Sequence, residues 1–248
     1  MRAEYKERGD PVTAADQASN HLLFAMLPRH DEGWLSEETV DDSNRLGQRR
    51  VWVVDPLDGT KEFLSGLPEW CVSIGLIEDG RAVAGGISNP ATGEIFVGSL
   101  ETGITVHDSL KRPRTLKTRE QPLVLASRSE TKRGEWEWLT NAPFEVRPMG
   151  SVAYKLALVA AGLADATWTF TPKHEWDVAA GVALVEASGG SVRTLEGRPL
   201  AFNRPVPRLD GLVAFSARAC AESSSLFEGW LCRRHFPQAG KADPAVLG

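Results

Sequence analysis

Apolar and polar residues alternate along this chain with two different periods. Ala18, Leu22, Leu23, Met26 and Leu27 recur at helical spacing, so Thr13 to Leu27 predicts an amphipathic helix. Thr13 and Asp16 have capping-box spacing at its start, with Asp in place of the usual Glu, and Pro28 stops it. Val51 to Val54 is a short β-branched run that reads as a buried strand ending at Asp55-Pro56, because proline cannot continue a ladder. The stretches Cys71 to Glu78 and Arg81 to Ser88 flank Asp79-Gly80, a hairpin signal. Glu94 to Ser99 and Ile104 to His107 extend that meander, and residues 108–121 read as a polar connecting loop.

The remainder alternates between the two periods. Strands are expected at Leu123–Ala126, Phe144–Arg147, Ala166–Phe170, Val192–Leu195 and Leu212–Phe215. Helices are expected at Glu130–Leu139, Val152–Ala161, Trp176–Ser188 and Ala217–Cys232. A meander followed by alternation implies an α/β protein of two lobes: an N-terminal α+β lobe over residues 1–110, a C-terminal α/β lobe over 122–236, and a flexible tail over 237–248.

The composition removes several classes. At 248 residues the chain is long enough for one large domain or two small ones sharing a core. A net charge of -5 gives no basic field to hold a nucleic acid polymer. Cys71, Cys220 and Cys232 make neither a C-x-x-C pair nor an even set, which argues against a disulfide scaffold or zinc knuckle and for a reduced, cytoplasmic setting. The longest apolar run, Leu156 to Ala164, is about half a membrane span, so no membrane partner is expected.

Three acidic clusters stand at element boundaries: Leu35-Ser36-Glu37-Glu38, Asp55-Pro56-Leu57-Asp58-Gly59-Thr60 and His174-Glu175-Trp176-Asp177. Open α/β sheets present their ligands at such boundaries. Asp55 and Asp58 would repel unless a cation lies between them, and oxygen-only donors suit Mg²⁺, with Mn²⁺ as a substitute. The spacing D-x-x-D-G-T is one residue longer than the D-x-D-G-T of haloacid-dehalogenase-type phosphatases, and Leu57 and Gly59 stand where an EF-hand needs oxygen ligands. Other readings remain open: Asp16 and Asp177 at helix caps, Glu37 and Glu38 as a solvated pair, and the Asp55–Asp58 segment as a plain proline turn.

The stretch VWVVDPLDGTKEF (Val51 to Phe63) resembles the signature of the lithium-sensitive, magnesium-dependent phosphatase superfamily that contains inositol monophosphatase and 3'(2'),5'-bisphosphate nucleotidase. WDVAAGVALVEASGG (Trp176 to Gly190) is similar to the second family signature, and GDPVTAAD (Gly9 to Asp16) and LSEE (Leu35 to Glu38) match in order. The resemblance implies a layered α-β-α-β-α sandwich and hydrolysis of a phosphate monoester by metal-activated water. It implies metal ligation by Glu37, Asp55, the Leu57 carbonyl, Asp58 and Asp177. Glu37 and Thr60, with Asp16 behind Thr60, are implied to orient the water, and Gly59 and Thr60 to bind phosphate.

The form DPLDGTKEF is closer to the bisphosphate nucleotidases, and Met149 to Lys155 is similar to the G-S-x-x-x-K stretch of bacterial 3'-phosphoadenosine 5'-phosphate phosphatases. Ser151 and Lys155 are therefore expected to contact substrate, Lys155 by meeting a second phosphate; its other reading is an exposed helix lysine. Phe170 stands where inositol monophosphatases carry a hydroxyl-binding glutamate, and faces either a base or the core. The expected substrate is 3'-phosphoadenosine 5'-phosphate or a related bisphosphate. The alternatives are an inositol or sugar monophosphatase and, in another class, an inactive metal- or nucleotide-binding relative. The family also has a long helix ahead of the GDPVTAAD-like motif, which this sequence is expected to lack, and the resemblance allows a homodimer.

Overall fold

The computed structural model describes residues 3–5, 11–110, 121–222, 227 and 229. In chain order, β1 (Ala3–Tyr5) and β2 (Pro11–Thr13) pair antiparallel and lead into α1 (Ala14–Met26). Next come β3 (Glu32–Ser36), β4 (Arg50–Asp58), the short α2 (Thr60–Leu64), β5 (Cys71–Glu78), β6 (Arg81–Asn89), β7 (Glu94–Ser99) and β8 (Gly103–Asp108). The six strands β3 to β8 form one sheet in sequence order. β3 and β4 run parallel, and the other neighbours antiparallel.

The second half supplies β9 (Leu123–Ser127), α3 (Arg128–Lys132), β10 (Glu145–Met149), α4 (Val152–Ala160), β11 (Ala166–Thr169), β12 (Lys173–His174) and α5 (Glu175–Ala187). It closes with β13 (Ser191–Arg193), β14 (Arg208–Leu209), β15 (Leu212–Phe215) and α6 (Ala217–Glu222). Five of these strands form a sheet in the order β10-β9-β11-β15-β13, parallel across β10, β9 and β11.

The architecture is α-β-α-β-α. α4 and α5 pack together between the sheets, α5 lying on β4, β5 and β6 of the first and on β13 and β15 of the second. α1 packs against β4, while α3 and α6 lie against β9 and β15. One apolar cluster joins Val51, Val53 and Ile77 of the first sheet to Leu156, Leu184 and Leu212 of the second half. A second, aromatic cluster of Trp136, Phe144, Trp168, Phe215 and Phe227 covers the outer face of the five-stranded sheet. No helix among the described residues is long and apolar enough to cross a membrane.

The run of small residues in Trp176 to Gly190 explains how α5 fits between two sheets. A Cβ on Gly85 of β6 would collide with the Ala180 carbonyl oxygen, and one on Gly181 would collide with Leu156 Cβ. Neither position has room for a larger side chain. The close approach carries the first turn of α5, with Asp177, to the ends of the first sheet's strands.

Three sequence expectations change. β4 does not stop at Asp55-Pro56 but runs to Asp58, and its register against β5 shifts: Asp55 pairs with Ser73 and Asp58 with Cys71. The extra residue is a bulge, the position where a strand tolerates a proline that has no N–H to give. The helix expected over Glu130–Leu139 is two pieces, α3 and a 3₁₀ turn at Glu137–Leu139, because Gly134 between them takes a left-handed conformation (φ 78°). A strand missed in the sequence, β3, ends directly before Glu37. The proposed tail and most of the loop between the lobes lie outside the described residues, as does the final helix beyond Glu222 except at Phe227 and Gly229.

Candidate active site

The bulge in β4 decides where its two aspartates point. Residues three apart in a regular strand face opposite sides of the sheet; one inserted residue brings them to the same side. Asp55 and Asp58 accordingly line one cleft at the boundary of the two sheets, together with Glu37, Leu57 and Asp177. Carboxylate oxygens of Glu37, Asp55 and Asp177 all lie within 4.8 Å of one another. Glu37 is held there by its backbone N–H, which donates to the Val54 carbonyl at 3.3 Å. Asp177 sits in the first turn of α5, where its Oδ2 accepts the His174 N–H at 2.9 Å. Glu175, fully buried, fixes the same turn by accepting the N–H groups of Asn203 (2.8 Å) and Arg204 (3.0 Å). His174 stacks on Trp176, ring centroids 4.4 Å apart, and is not among the residues lining the cleft.

Three carboxylates this close, with Asp55 only 2% exposed, make an unfavourable cluster by themselves. Burial, and then the charges of Glu37, Asp58 and Asp177, push the Asp55 carboxyl well above the usual range. Burial likewise pushes Asp177 up to about 7, with Asp58 and Glu37 adding to it and Lys173 opposing. A donor set made only of oxygen, destabilised until its charge is neutralised, fits a hard divalent cation such as Mg²⁺ or Mn²⁺.

The remaining expected residues fall into place with differences. Asp58 stands beside the tight trio and not inside it. Its Oδ2 accepts from Ser151 Oγ (2.6 Å) and from the Ala153 N–H (2.7 Å). The Ser151 hydroxyl, expected to meet substrate, is thus turned to Asp58, and it also accepts the Tyr154 N–H at 3.0 Å. The N–H of Leu57 donates to Asp55 Oδ1 (3.0 Å), while its carbonyl accepts from Thr60 Oγ1 (3.1 Å). Asp16 holds both of its readings at once. Oδ2 closes the capping box with Thr13 (N–H 2.8 Å, Oγ1 2.6 Å), and Oδ1 lies 3.5 Å from Thr60 Oγ1. Gly59, at φ 95°, makes the turn into α2, and it and Thr60 line the cleft.

Basic residues line the same cleft. Lys155 is 3% exposed, so it is not the exposed helix lysine of its alternative reading. Its Nζ donates to the Met149 carbonyl at 3.2 Å. Burial, with the nearby charge of Lys173, pushes its pKa down to about 8. Lys61, Arg128 and Lys173 line the same cleft. Phe170 does not line it. Its ring packs with Trp136 and Trp138 at centroid distances of 5.5 and 6.2 Å, in the aromatic cluster.

The sequence model of the Inositol monophosphatase family matches residues 1–232. The chain belongs to the inositol monophosphatase family. Over 206 residues it is 35% identical to an inositol-1-monophosphatase of Mesorhizobium japonicum, covering 79% of this chain and 77% of that one. It is 34% identical to the 3'(2'),5'-bisphosphate nucleotidase CysQ of Salmonella typhimurium, again over 206 residues, covering 82% and 83%. Its fold matches the crystal structure of CysQ from Bacteroides thetaiotaomicron, a bacterial member of the inositol monophosphatase family. The TM-score is 0.71 at 28% identity, with 82% and 83% covered.

Sequence reasoning did not single out Arg128, Ser127 or Ser129, which in this family member stand in the cleft at the end of β9. The signal for them in the sequence is their place directly after the strand Leu123–Ala126, since ligands gather at strand ends. Lys61 and Glu62 lie inside the Val51–Phe63 stretch, where the resemblance implies no role for them. Both line the cleft, and burial raises the Glu62 carboxyl above its ordinary range.

Proposed function

We propose that this protein is a divalent-cation-dependent phosphoric monoester hydrolase, and that it prefers a substrate with a second phosphate, such as 3'-phosphoadenosine 5'-phosphate. The observation carrying the first half is the trio Glu37, Asp55 and Asp177, gathered within 4.8 Å around a buried Asp55. The observation favouring the second half is the set of basic residues in the cleft, above all buried Lys155. The relatives do not divide the two substrates, since an inositol-1-monophosphatase and a bisphosphate nucleotidase stand at 35% and 34% identity.

Bound cations would neutralise the phosphoryl oxygens and make a neighbouring water more acidic. Glu37, Asp55 and Asp177 would hold them, with the Leu57 carbonyl and Asp58 at the margin. The Thr60 hydroxyl directs its proton to Asp16 Oδ1 or the Leu57 carbonyl, which leaves an oxygen lone pair to accept a hydrogen bond from the attacking water. Glu37 takes that water's proton. The water oxygen bonds to phosphorus as the ester P–O bond breaks, and the departing alkoxide takes a proton from solvent. Gly59 and Thr60 receive the phosphoryl oxygens at the start of α2. Lys155 and Lys173 meet the second phosphate through charge-assisted hydrogen bonds.

Phosphate release measured with Mg²⁺ on 3'-phosphoadenosine 5'-phosphate and on inositol 1-phosphate tests both halves. The expected kcat/KM ratio is about 10- to 100-fold in favour of the bisphosphate. Equal or better turnover of inositol 1-phosphate overturns the substrate and promotes the monophosphatase. Hydrolysis of neither ester overturns the activity and favours a binding relative.

A further inference from the structure

Asp58 owes its position to a chain of contacts that begins outside the metal-binding motifs. Ser151 and Ala153, which grip its Oδ2, follow the sharp turn into α4, where Ser151 takes φ 48°, a strained value for a residue with a side chain. The preceding N–H, that of Gly150, donates to Glu69 Oε2 at 2.7 Å. Arg128, at the start of α3, clamps the same carboxylate, with Nη2 at 2.7 Å and Nε at 3.1 Å from Oε2. Glu69 also abuts the metal-binding loop from the other side: a Cβ on Gly59 would lie 2.8 Å from the Glu69 carbonyl oxygen. One residue in the connection between α2 and β5 thus touches both the Asp58-Gly59 turn of the first sheet and the Gly150-Ser151 turn of the second half.

We propose that Glu69 is a positioning residue for Asp58: clamped by Arg128, it holds the Gly150-Ser151 turn so that Ser151 Oγ and the Ala153 N–H fix one oxygen of Asp58 and leave the other to a cation. The inference deepens the proposed function and rests on its assignment of Asp58 to cation binding. Glu69 is not among the residues lining the cleft, so its loss should act through metal affinity. Partners of this kind, hydrogen-bonded to ligand-bearing segments, typically change metal affinity about 10- to 100-fold when removed.

The test is Mn²⁺ binding to the whole protein without substrate, followed by electron paramagnetic resonance or calorimetry, alongside Mg²⁺ activation curves. Glu69→Ala should weaken one class of Mn²⁺ site about tenfold or more while leaving the tighter class unchanged. The Mg²⁺ concentration for half-activity should rise in parallel, with a much smaller change in kcat at saturating Mg²⁺. Glu69→Gln keeps an acceptor for the Gly150 N–H and should weaken the site less. Arg128→Gln, which unclamps Glu69 without touching the turn, should shift Mn²⁺ affinity in the same direction and replaces Glu69→Ala should that variant not fold. Unchanged Mn²⁺ affinity in these variants, or an equal weakening of every site in proportion to lost thermal stability, overturns the proposal. A wild-type protein that binds Mn²⁺ but hydrolyses neither ester removes the proposed function and leaves this reading to be decided by the same titration. Wild-type protein that binds no Mn²⁺ removes both.

Discussion

The acidic and the basic side chains of the cleft make two surfaces of opposite sign, a floor and a wall, each with one buried charge, Asp55 and Lys155. The floor concentrates Glu37, Asp55 and Asp177 within 4.8 Å of one another. Burial, and after it the neighbouring carboxylates, raise Asp55 and Asp177, so the floor is stabilised by a cation. The wall carries Lys155, buried and lowered to about 8, with Lys173, whose charge makes that lowering larger. It is stabilised by an anion. A phosphorylated substrate with two anionic groups answers both needs, one through the cations on the floor and one directly. Neither surface is at its best alone, and the site stores destabilisation that ligands relieve.

The largest effect is expected on the floor. Asp55→Asn should lower phosphate release by about a thousandfold or more, since the residue is the buried member of the trio and its charge is what a cation answers. An activity within tenfold of wild type would show that the floor is structural. Binding of Mg²⁺ to the floor should also appear as stability. At a concentration about a hundred times its dissociation constant the gain is about 2.7 kcal/mol, or about 5–10 °C in Tm for a chain of this size. In Asp55→Asn that gain should largely vanish, as calorimetry with and without chelator would show.

The wall responds to pH with a definite sign. Lys155 carries its proton below about 8 in the folded protein, and to about 10.5 when unfolded. The unfolded chain therefore binds more protons between those values, and this residue's contribution to stability rises with pH across that window. Lys155→Met should stabilise the unliganded protein at pH 7, by up to about 3 kcal/mol, and should remove that rise. The same substitution should raise KM for the bisphosphate about tenfold and change KM for a monophosphate much less. In wild type, KM for the bisphosphate should climb as pH passes about 8, when the lysine loses its charge. An equal climb in the Lys155→Met variant would assign the titration to another group.

The smallest expected effect is that of lithium, a small hard cation competing for oxygen ligands. Inhibition in the millimolar range under limiting Mg²⁺, relieved by excess Mg²⁺, supports the assignment of the floor; insensitivity to lithium counts against it.

The floor was legible in the sequence because each of its residues lies in a short contiguous motif at an element end. Four motifs in order placed Asp16, Glu37, Asp55 and Asp177 before any geometry. What the motifs did not carry was orientation. Pro56 reads as a strand terminator, yet it forms a bulge inside β4 that turns Asp55 and Asp58 to one side. Ser151 reads as a substrate contact, yet its hydroxyl is turned to Asp58. Phe170 reads as facing either a base or the core, and the neighbouring Trp136 and Trp138 draw it into the aromatic cluster. The wall was less legible, because Lys61, Arg128, Lys155 and Lys173 are scattered over the chain and meet only when two sheets close around α4 and α5. Glu69 carries no motif, and only the fold brings it against Gly59 and Gly150.

The proposed chemistry depends above all on Glu37, Asp55 and Asp177 holding a divalent cation at the floor of the cleft. Crystals soaked in Mn²⁺ and measured at the manganese absorption edge test this most directly. An anomalous peak is expected in contact with carboxylate oxygens of all three residues. Absence of a peak there, with Mn²⁺ found only on other surface carboxylates, would contradict it.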